Sequence, residues 1–466
     1  MTIQLINGKI TLVITMCCNN NVHSSILSID GNTLNAIRHL NFADIKSVAS
    51  HENVSWPTAK QSIERLLNEK LVLLNSNINS STKTYTINPD YGFFMGISLD
   101  ATMIKFVITD FNFSAIKLRT DKRFVSLIDE VKKISNLNIE DSYFAYKPLK
   151  DNLDYLEIND ICSLMIETVL GFTKDEYRKL NLIAIGISLP GIVDKRTEEI
   201  IFCPNIPSLV GMPTKKILKS NIIAKIDSDD IALFFCHDTS AALVFEKEIS
   251  FSGSSAKNLG DNIVYLLHEF GLGISFILDN RLISGSTGAF GELGHIQIDY
   301  VDLPRNGKHE EDDFIKYSGT NNIDLESCPC ACGNKTCLEK LIKVKVFNSN
   351  NVKDFIVKTG DIVNFKGDHP YRYKVLLHFV GKAINIIVNV LNVDTIIVSN
   401  HVLGRINGFI EDLEPFMNDI ALTFSSRNCK IIAGSDQPDA TAIGSAMMAY
   451  YQIINSNDSK ATISWD

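Results

Sequence analysis

Two stretches decide how this chain is read: "GELGHIQID", Gly291–Asp299, and "CPCACGNKTCLE", Cys328–Glu339. The second crowds Cys328, Cys330, Cys332 and Cys337 together, out of 10 cysteines in the chain. A thioredoxin-type redox site would show Cys-x-x-Cys near the start of a βαβ unit. The spacing here is Cys-x-Cys-x-Cys-x4-Cys, which suits a tight metal loop. Two metal readings stand: all four thiolates bind one tetrahedral zinc, or three of them join a histidine from elsewhere. Chance free thiols are the third. His295, between Gly294 and an alternating apolar strand, is the outside candidate; alone it would be read as a core histidine.

Around these stretches the composition is that of a globular protein. The chain has 466 residues, 45% hydrophobic and 21% charged, which excludes a mostly disordered chain. The net charge of −9 excludes nucleic-acid binding by bulk charge. Residues 1–90, with seven Lys/Arg against six Asp/Glu, escape that acidic excess. The apolar run from Val375, "VLLHFVGKAINIIVNVLNV", contains His378 and Lys382 and reads as a buried helix rather than a membrane span. The start has one charge, Lys9, before the apolar run Ile10–Cys18, and Met16 rather than a small residue precedes Cys17, so it is a poor secretion signal. Cys162, Cys203, Cys236 and Cys429 show no framework spacing, and a reducing cytoplasm is expected.

Apolar periodicity divides the chain. Residues 35–74 read as short helices, with Ser55 as an N-cap and Pro57 in the first turn. "TKTYTINPDYG" then alternates as a strand up to Pro89. Helix–turn–helix followed by strands outlines a winged helix over 31–90. From 91 to 455 strands alternate with helices, an α/β pattern. They include "GFFMGISLDATMIKFVITDFN", "NLIAIGISLPGIVD", "IALFFCHDTSAALVFEKE" and "ATAIGSAMMAYYQII". Residues 302–327 are acidic and loop-like, an insertion; 1–30 have no assignable role and 456–466 form a polar tail.

"GELGH" followed by a Cys-x-Cys-Gly loop and "CLE" resembles the ROK family of sugar kinases and sugar-responsive repressors. "IGISLPGIVD" and "CHDTSAALVFE" are similar to further segments of that family. The resemblance spans about 35–450. It implies a two-lobed actin-like (ribonuclease H-like) domain, with a structural zinc on His295, Cys330, Cys332 and Cys337 and Cys328 outside the set. It implies sugar contacts from His237, Asp238, Glu292, His295, Glu339, Pro190 and Gly191, with Asp238 at the position of the catalytic base. Asp238 can equally be a helix cap at a strand–helix junction. The insertion separates His295 from the cysteine loop by more than the family usually has.

The phosphate loops depart from the family's kinases. "SLDAT", Ser98–Thr102, stands where they have Asp-x-Gly-Gly-Thr; "EFGLG" puts Glu269 in the second loop; "SNH", Ser399–His401, replaces a Gly pair. "HD" at His237–Asp238 and the eroded loops resemble the Mlc/NagC type of repressor. The expectation is therefore a cytoplasmic, non-enzymatic regulator, with operator DNA and a sugar or sugar phosphate as ligands. A homodimer or tetramer is expected, and a phosphotransferase-system protein is a further candidate partner. The alternatives are an ATP-dependent sugar kinase with an appended winged helix, or a regulator controlled by a partner protein instead of a sugar. DNA contacts are expected from Ser55, Trp56, Pro57, Thr58, Lys60, Gln61 and Lys83, at the start of the second helix and in the wing. Ile45, Val48, Ile63, Leu66 and Leu67 would form the small core. A dimerisation module is the other reading of this segment, whose charge is weak and whose wing lacks the family's Gly-Arg-Pro turn.

Overall fold

The computed structural model describes residues 2–6, 9–13, 31–75, 82–100, 103–122, 137–139, 143–146, 158, 160–162, 166, 181–194, 196–197, 199–211, 232–251, 258–269, 271–298, 330–349 and 352–455. The 302–327 insertion, Cys328, Ala101, Thr102 and the 456–466 tail lie outside them. β1 (Thr2–Ile6) and β2 (Lys9–Val13) pair as an antiparallel hairpin, an element that the sequence reading leaves unassigned.

Three helices follow: α1 (Gly31–Leu40), α2 (Ile45–His51) and α3 (Trp56–Asn68). α2 starts at a capping box, in which the Ser47 N–H donates to Asp44 Oδ1 at 2.7 Å and the Asp44 N–H to Ser47 Oγ at 3.0 Å. α3 starts as the sequence predicts, with the Thr58 N–H donating to Ser55 Oγ at 3.3 Å. β3 (Val72–Asn75) and β4 (Thr84–Ile87) close the unit as an antiparallel hairpin. Val48, Ile63 and Leu66 are fully buried, with Ile45 and Leu67 packed beside them, as expected.

The remaining chain builds the same sheet pattern twice. β5 (Phe93–Leu99), β6 (Ile104–Asp110), β7 (Leu137–Ile139), β8 (Tyr143–Tyr146) and β9 (Leu182–Leu189) come first; β10 (Ile192–Val193) and β11 (Ile200–Phe202) form a small hairpin beyond β9. With β12 (Ala232–His237) the first sheet runs β12-β9-β5-β6-β8-β7, in which β5, β9 and β12 are parallel and β6 and β8 antiparallel. β13 (Ile263–His268), β14 (Leu272–Leu278), β15 (Arg281–Ile283), β16 (Thr395–Val398) and β17 (Lys430–Ala433) form the second, ordered β15-β14-β13-β16-β17. Again a meander adjoins parallel strands. This duplication is the expected two-lobed actin-like α/β architecture. Every residue of β5 and β9 is buried, as befits strands covered on both faces.

Helices cover the sheets: α4 (Asp238–Ser250), α5 (Leu338–Leu341) running into a π turn at Ile342–Val346, α6 (Val352–Thr359), α7 (Pro370–Leu391), α8 (Phe409–Ile420) and α9 (Ala440–Asn455). α7 is long and apolar enough to cross a membrane by length and composition. In the fold it is a core helix, burying Leu376, Phe379, Val380, Ile384 and Ile387 in the second lobe. α9 crosses back to the first lobe and lies backbone to backbone on it. A methyl at Gly96 would meet the Ala442 carbonyl oxygen at 1.8 Å, and one at Gly186 the Ser445 oxygen at 1.9 Å. One at Gly444 would meet the Ala241 oxygen of α4 at 2.0 Å.

The three-helix unit is fused to the first lobe rather than tethered. The Tyr450 hydroxyl of α9 donates to Asn35 Oδ1 at 2.8 Å. The Arg38 guanidinium lies 4.2 Å from the ring centres of both Phe113 and Tyr450, and donates to the Phe111 carbonyl at 2.9 Å. Such desolvated cation–π contacts are worth about 1–2 kcal/mol each. His39 stacks on Phe251 with ring centres 3.9 Å apart, and its Nε2 faces Glu248 Oε2 at 3.5 Å. The Tyr451 hydroxyl donates to Glu248 Oε1. Burial opposes the Glu248 carboxylate, but His39, Tyr451 and Arg38 overcome it and hold its pKa below the ordinary value.

Candidate functional site

The cleft lies where β9, β12 and β13 end and β14 begins. β9 runs into Pro190 and Gly191, which turn the chain at φ +88°; a Cβ at Gly191 would meet the Phe202 carbonyl oxygen at 2.2 Å. β12 ends at His237, the N-cap of α4, so Asp238 is the first helical residue. The alternative reading, in which Asp238 caps this helix, is off by one position. Asp238 Oδ1 accepts the Thr239 N–H at 2.6 Å and lies 3.1 Å from His237 Nδ1. Thr239 Oγ1 and Ser240 Oγ both bond Ser275 Oγ, at 2.7 and 3.1 Å, which pins the start of α4 to β14. Burial raises the Asp238 pKa against the lowering effect of His237.

Glu292 and His295 come from the turn after β15, and Glu339 from the first turn of α5. Glu339 Oε2 accepts the Leu272 N–H at 3.0 Å and Oε1 the Lys343 ammonium at 2.8 Å, Lys343 being placed by the π turn. Only glycine fits at 294, since a Cβ there would meet the Leu272 carbonyl oxygen at 2.4 Å and Glu339 Cβ at 3.3 Å. Glu292 Oε2 lies 3.7 Å from His295 Nε2, and burial raises the Glu292 pKa. His237, Asp238, Glu292, His295, Glu339, Pro190 and Gly191 all line one cavity of about 110 Å³. Asn205 and Phe202 line it too, and the sequence reading missed them. Phe202 meets the His295 ring edge-on at 5.4 Å. The run "FCPNIP" (202–207) carries no periodicity or motif that would have flagged either residue.

His295 also belongs to a second cluster. Its ring and the sulfurs of Cys330, Cys332 and Cys337 offer donor atoms within 4.8 Å of one another, a group that can hold a metal ion. His295 Nδ1 is 3.4 Å from Cys330 Sγ, and Cys332 Sγ is 3.4 Å from Cys337 Sγ. A zinc with arms of about 2.3 Å would separate tetrahedral sulfurs by about 3.8 Å, so the donor set and its spacing fit that ion. The insertion does not keep the two parts of the cluster apart, because the backbone zips them together. The Ile298 N–H donates to the Thr336 carbonyl at 3.0 Å, and the Leu338 N–H to that of Ile296 at 2.9 Å. His295 thus turns Nδ1 to the sulfurs and Nε2 to Glu292.

The same cavity is lined by Asp100 and Glu269, from the turns expected to differ from phosphate loops. Asp100 closes the β5–β6 turn, accepting the Met103 N–H on its side chain at 2.8 Å. Glu269, in the β13–β14 turn, lies 3.2 Å from His401 Nδ1. Burial, then Asp100 and Asp238, push the Glu269 pKa up to about 8. Burial, then Lys105, lowers that of His401 to about 4. Ser399 is fully buried, its hydroxyl accepting the His268 N–H at 3.1 Å.

On the three-helix unit, Ser55, Trp56, Pro57, Thr58, Lys60 and Gln61 are all exposed at the start of α3, and Lys83 is exposed at the base of the β3–β4 hairpin. Trp56 is 50% exposed, with the Lys60 ammonium 5.6 Å from its ring centre. Residues 76–81 between β3 and β4 lie outside the described residues.

The model of the ROK family matches residues 158–452, more than half of the chain. The xylose repressor of Bacillus subtilis (strain 168) is 28% identical over 228 residues, 48% of this chain and 49% of that protein. The DNA-binding transcriptional dual regulator NagC of Escherichia coli (strain K12) is 23% identical over 364 residues, 74% of this chain and 77% of that protein. The match spans about half to two-thirds of the xylose repressors. A crystal structure described as a ROK family transcriptional regulator, homolog of E. coli MLC protein, shares the fold with a TM-score of 0.61 at 18% identity, covering 93% of this chain and 98% of that one.

Proposed function

Since this chain belongs to the ROK family, we propose that it is a sugar-responsive transcriptional regulator, a repressor of carbohydrate-utilisation genes that does not phosphorylate its sugar. One observation carries the reading. The seven side chains and turns at the family's sugar positions share a cavity, while Asp100 and Glu269 occupy the phosphate end. Hydroxyls both donate and accept, and carboxylates beside an imidazole match them. Asp238, Glu292 and Glu339 grip the sugar; Gly191 and Gly294 let backbone come close. The names of relatives, xylose repressor and NagC, support the regulatory role.

The Cys330, Cys332, Cys337 and His295 cluster would hold a structural zinc, which supplies a rigid tetrahedral anchor with no open position. With the ring so held, His295 Nε2 would orient Glu292, and the start of α5 bearing Glu339 would be tied to the segment after His295.

The signal path is α4. Its first residue touches the sugar and its last turn carries Glu248, bonded to Tyr451 of α9 and facing His39 of α1. A 13-residue helix is a rod of about 20 Å. Closure of the cleft on the sugar would tilt this rod and carry α1 with it. In a dimer that shift changes the spacing of the two α3 helices on operator DNA, a population shift between binding-competent and incompetent arrangements. Ser55–Gln61 and Lys83 would read and grip the DNA as a winged helix. The retained Asp238 favours one second reading, a sugar kinase; incubation with labelled ATP and sugars tests it, and turnover would overturn the non-enzymatic assignment. Selection of binding sites from random DNA tests the main reading. A pair of half-sites at fixed spacing, released by a sugar, is expected; no enrichment would refute it.

A further inference from the structure

The cleft is acidic from end to end. Asp100, Asp238, Glu269, Glu292 and Glu339 line it, and no Lys or Arg does among the described residues. The nearest cations lie outside the lining: Lys105, which partly offsets the charge at Glu269, donates to the Pro438 carbonyl, and Arg405 to that of Gly360 at 3.1 Å. Glu339 is matched by Lys343 at the other end. Asp100, Asp238 and Glu269 are close enough to act on one another: after burial, the charges of Asp100 and Asp238 are what raise the Glu269 pKa. Asp100 and Asp238 already disfavour a further negative charge on Glu269, and they would repel a phosphate dianion brought to the same place. Phosphate recognition needs the reverse, Arg, Lys or a nest of free N–H groups. At the first turn that role is reduced, because the Asp100 carboxylate takes the Met103 N–H for itself.

Resting on the sugar-sensor reading, we propose that the effector is an uncharged, unphosphorylated sugar, and that Asp100 and Glu269 are the specificity-determining groups that reject its phosphate ester. The protein would therefore respond to sugar before its first phosphorylation. A phosphotransfer reaction that consumes the free sugar would switch the signal off.

Isothermal titration of the full chain with xylose, glucose and N-acetylglucosamine, and with their terminal phosphate esters, tests this. One free sugar is expected to bind, with its ester at least about 100-fold weaker, as like-charge juxtaposition demands. In a D100N/E269Q double variant that gap should narrow by about 10-fold or more. An ester that binds as tightly as its free sugar to the wild-type protein overturns the inference and leaves the sugar sensor standing. No binding from either class overturns the sugar reading as well. An unchanged gap in the folded double variant removes Asp100 and Glu269 from the role, and the wild-type comparison still decides the effector class if that variant fails to fold.

Discussion

Glu248→Gln cuts the proposed signal path while leaving the sugar and the DNA surfaces alone. The side chain is 5% exposed, accepts from the Tyr451 hydroxyl and faces His39 Nε2 at 3.5 Å. Glutamine keeps the shape and can still accept from Tyr451, so one buried charge-assisted contact, that to His39, is lost. Such a loss costs about 1–3 kcal/mol, well inside the roughly 5–15 kcal/mol of a folded domain. At about 2–4 °C per kcal/mol the melting temperature should fall by about 2–12 °C. Fluorescence anisotropy on the selected operator, with and without sugar, gives the decisive readout. The variant is expected to bind DNA yet lose most of the sugar response, while differential scanning fluorimetry still shows sugar stabilising it. A variant that releases operator on sugar as the wild type does would refute α4 as the route. The pH dependence adds a check of sign. The folded Glu248 pKa is lowered, so its contribution is present at neutral pH and fades as pH falls below the ordinary value of about 4.3. The stability gap between wild type and variant should shrink over that acid range.

Cys332→Ser and Cys337→Ser should each release metal, measured by mass spectrometry of the purified protein, and weaken sugar binding; Cys328→Ser should keep it if His295 is the fourth ligand. Gly294→Ala forces a methyl to within 2.4 Å of the Leu272 carbonyl oxygen and should cost about 1–3 kcal/mol in urea titrations, with sugar affinity falling alongside. Trp56→Ala and Gln61→Ala, both at exposed positions, should change stability by no more than about 0.5 kcal/mol yet weaken operator binding about 10-fold or more by anisotropy. Asp238→Asn should abolish the thermal shift with sugar, and a retained shift would remove Asp238 from the ligand set.

Much of this was legible because the sequence signals are local. β5 and β9 announce themselves as unbroken apolar runs, and Ser55 with Pro57 marks the start of α3 within a residue. The metal cluster was legible in two steps: crowded thiols pointed to a metal loop but left its fourth ligand open, and the resemblance to the ROK family supplied His295. What escaped depends on long-range geometry. Phe202 reaches the cleft from the end of β11 and Asn205 from the turn after it, and nothing in their neighbours marks them. The Arg38, His39 and Glu248 clasp joins residues more than 200 positions apart, and charged side chains on short amphipathic helices read as solvated until a partner surface is in view. The cap at α4 was misplaced by one because His237 and Asp238 are both polar, and only the backbone decides which begins the helix.

The contacts of α1 with α9 set an order of events at the ribosome. Asn35 is made 415 residues before Tyr450, its hydrogen-bond partner. At roughly 5–20 residues per second that is a wait of about 20–80 s. Until then Arg38 lacks one of its two aromatic faces, and Gly31 lacks Ile454. A nascent chain therefore carries the three helices of residues 31–68 on an unfinished support. Only a polypeptide translated through residues 440–455 can lock them.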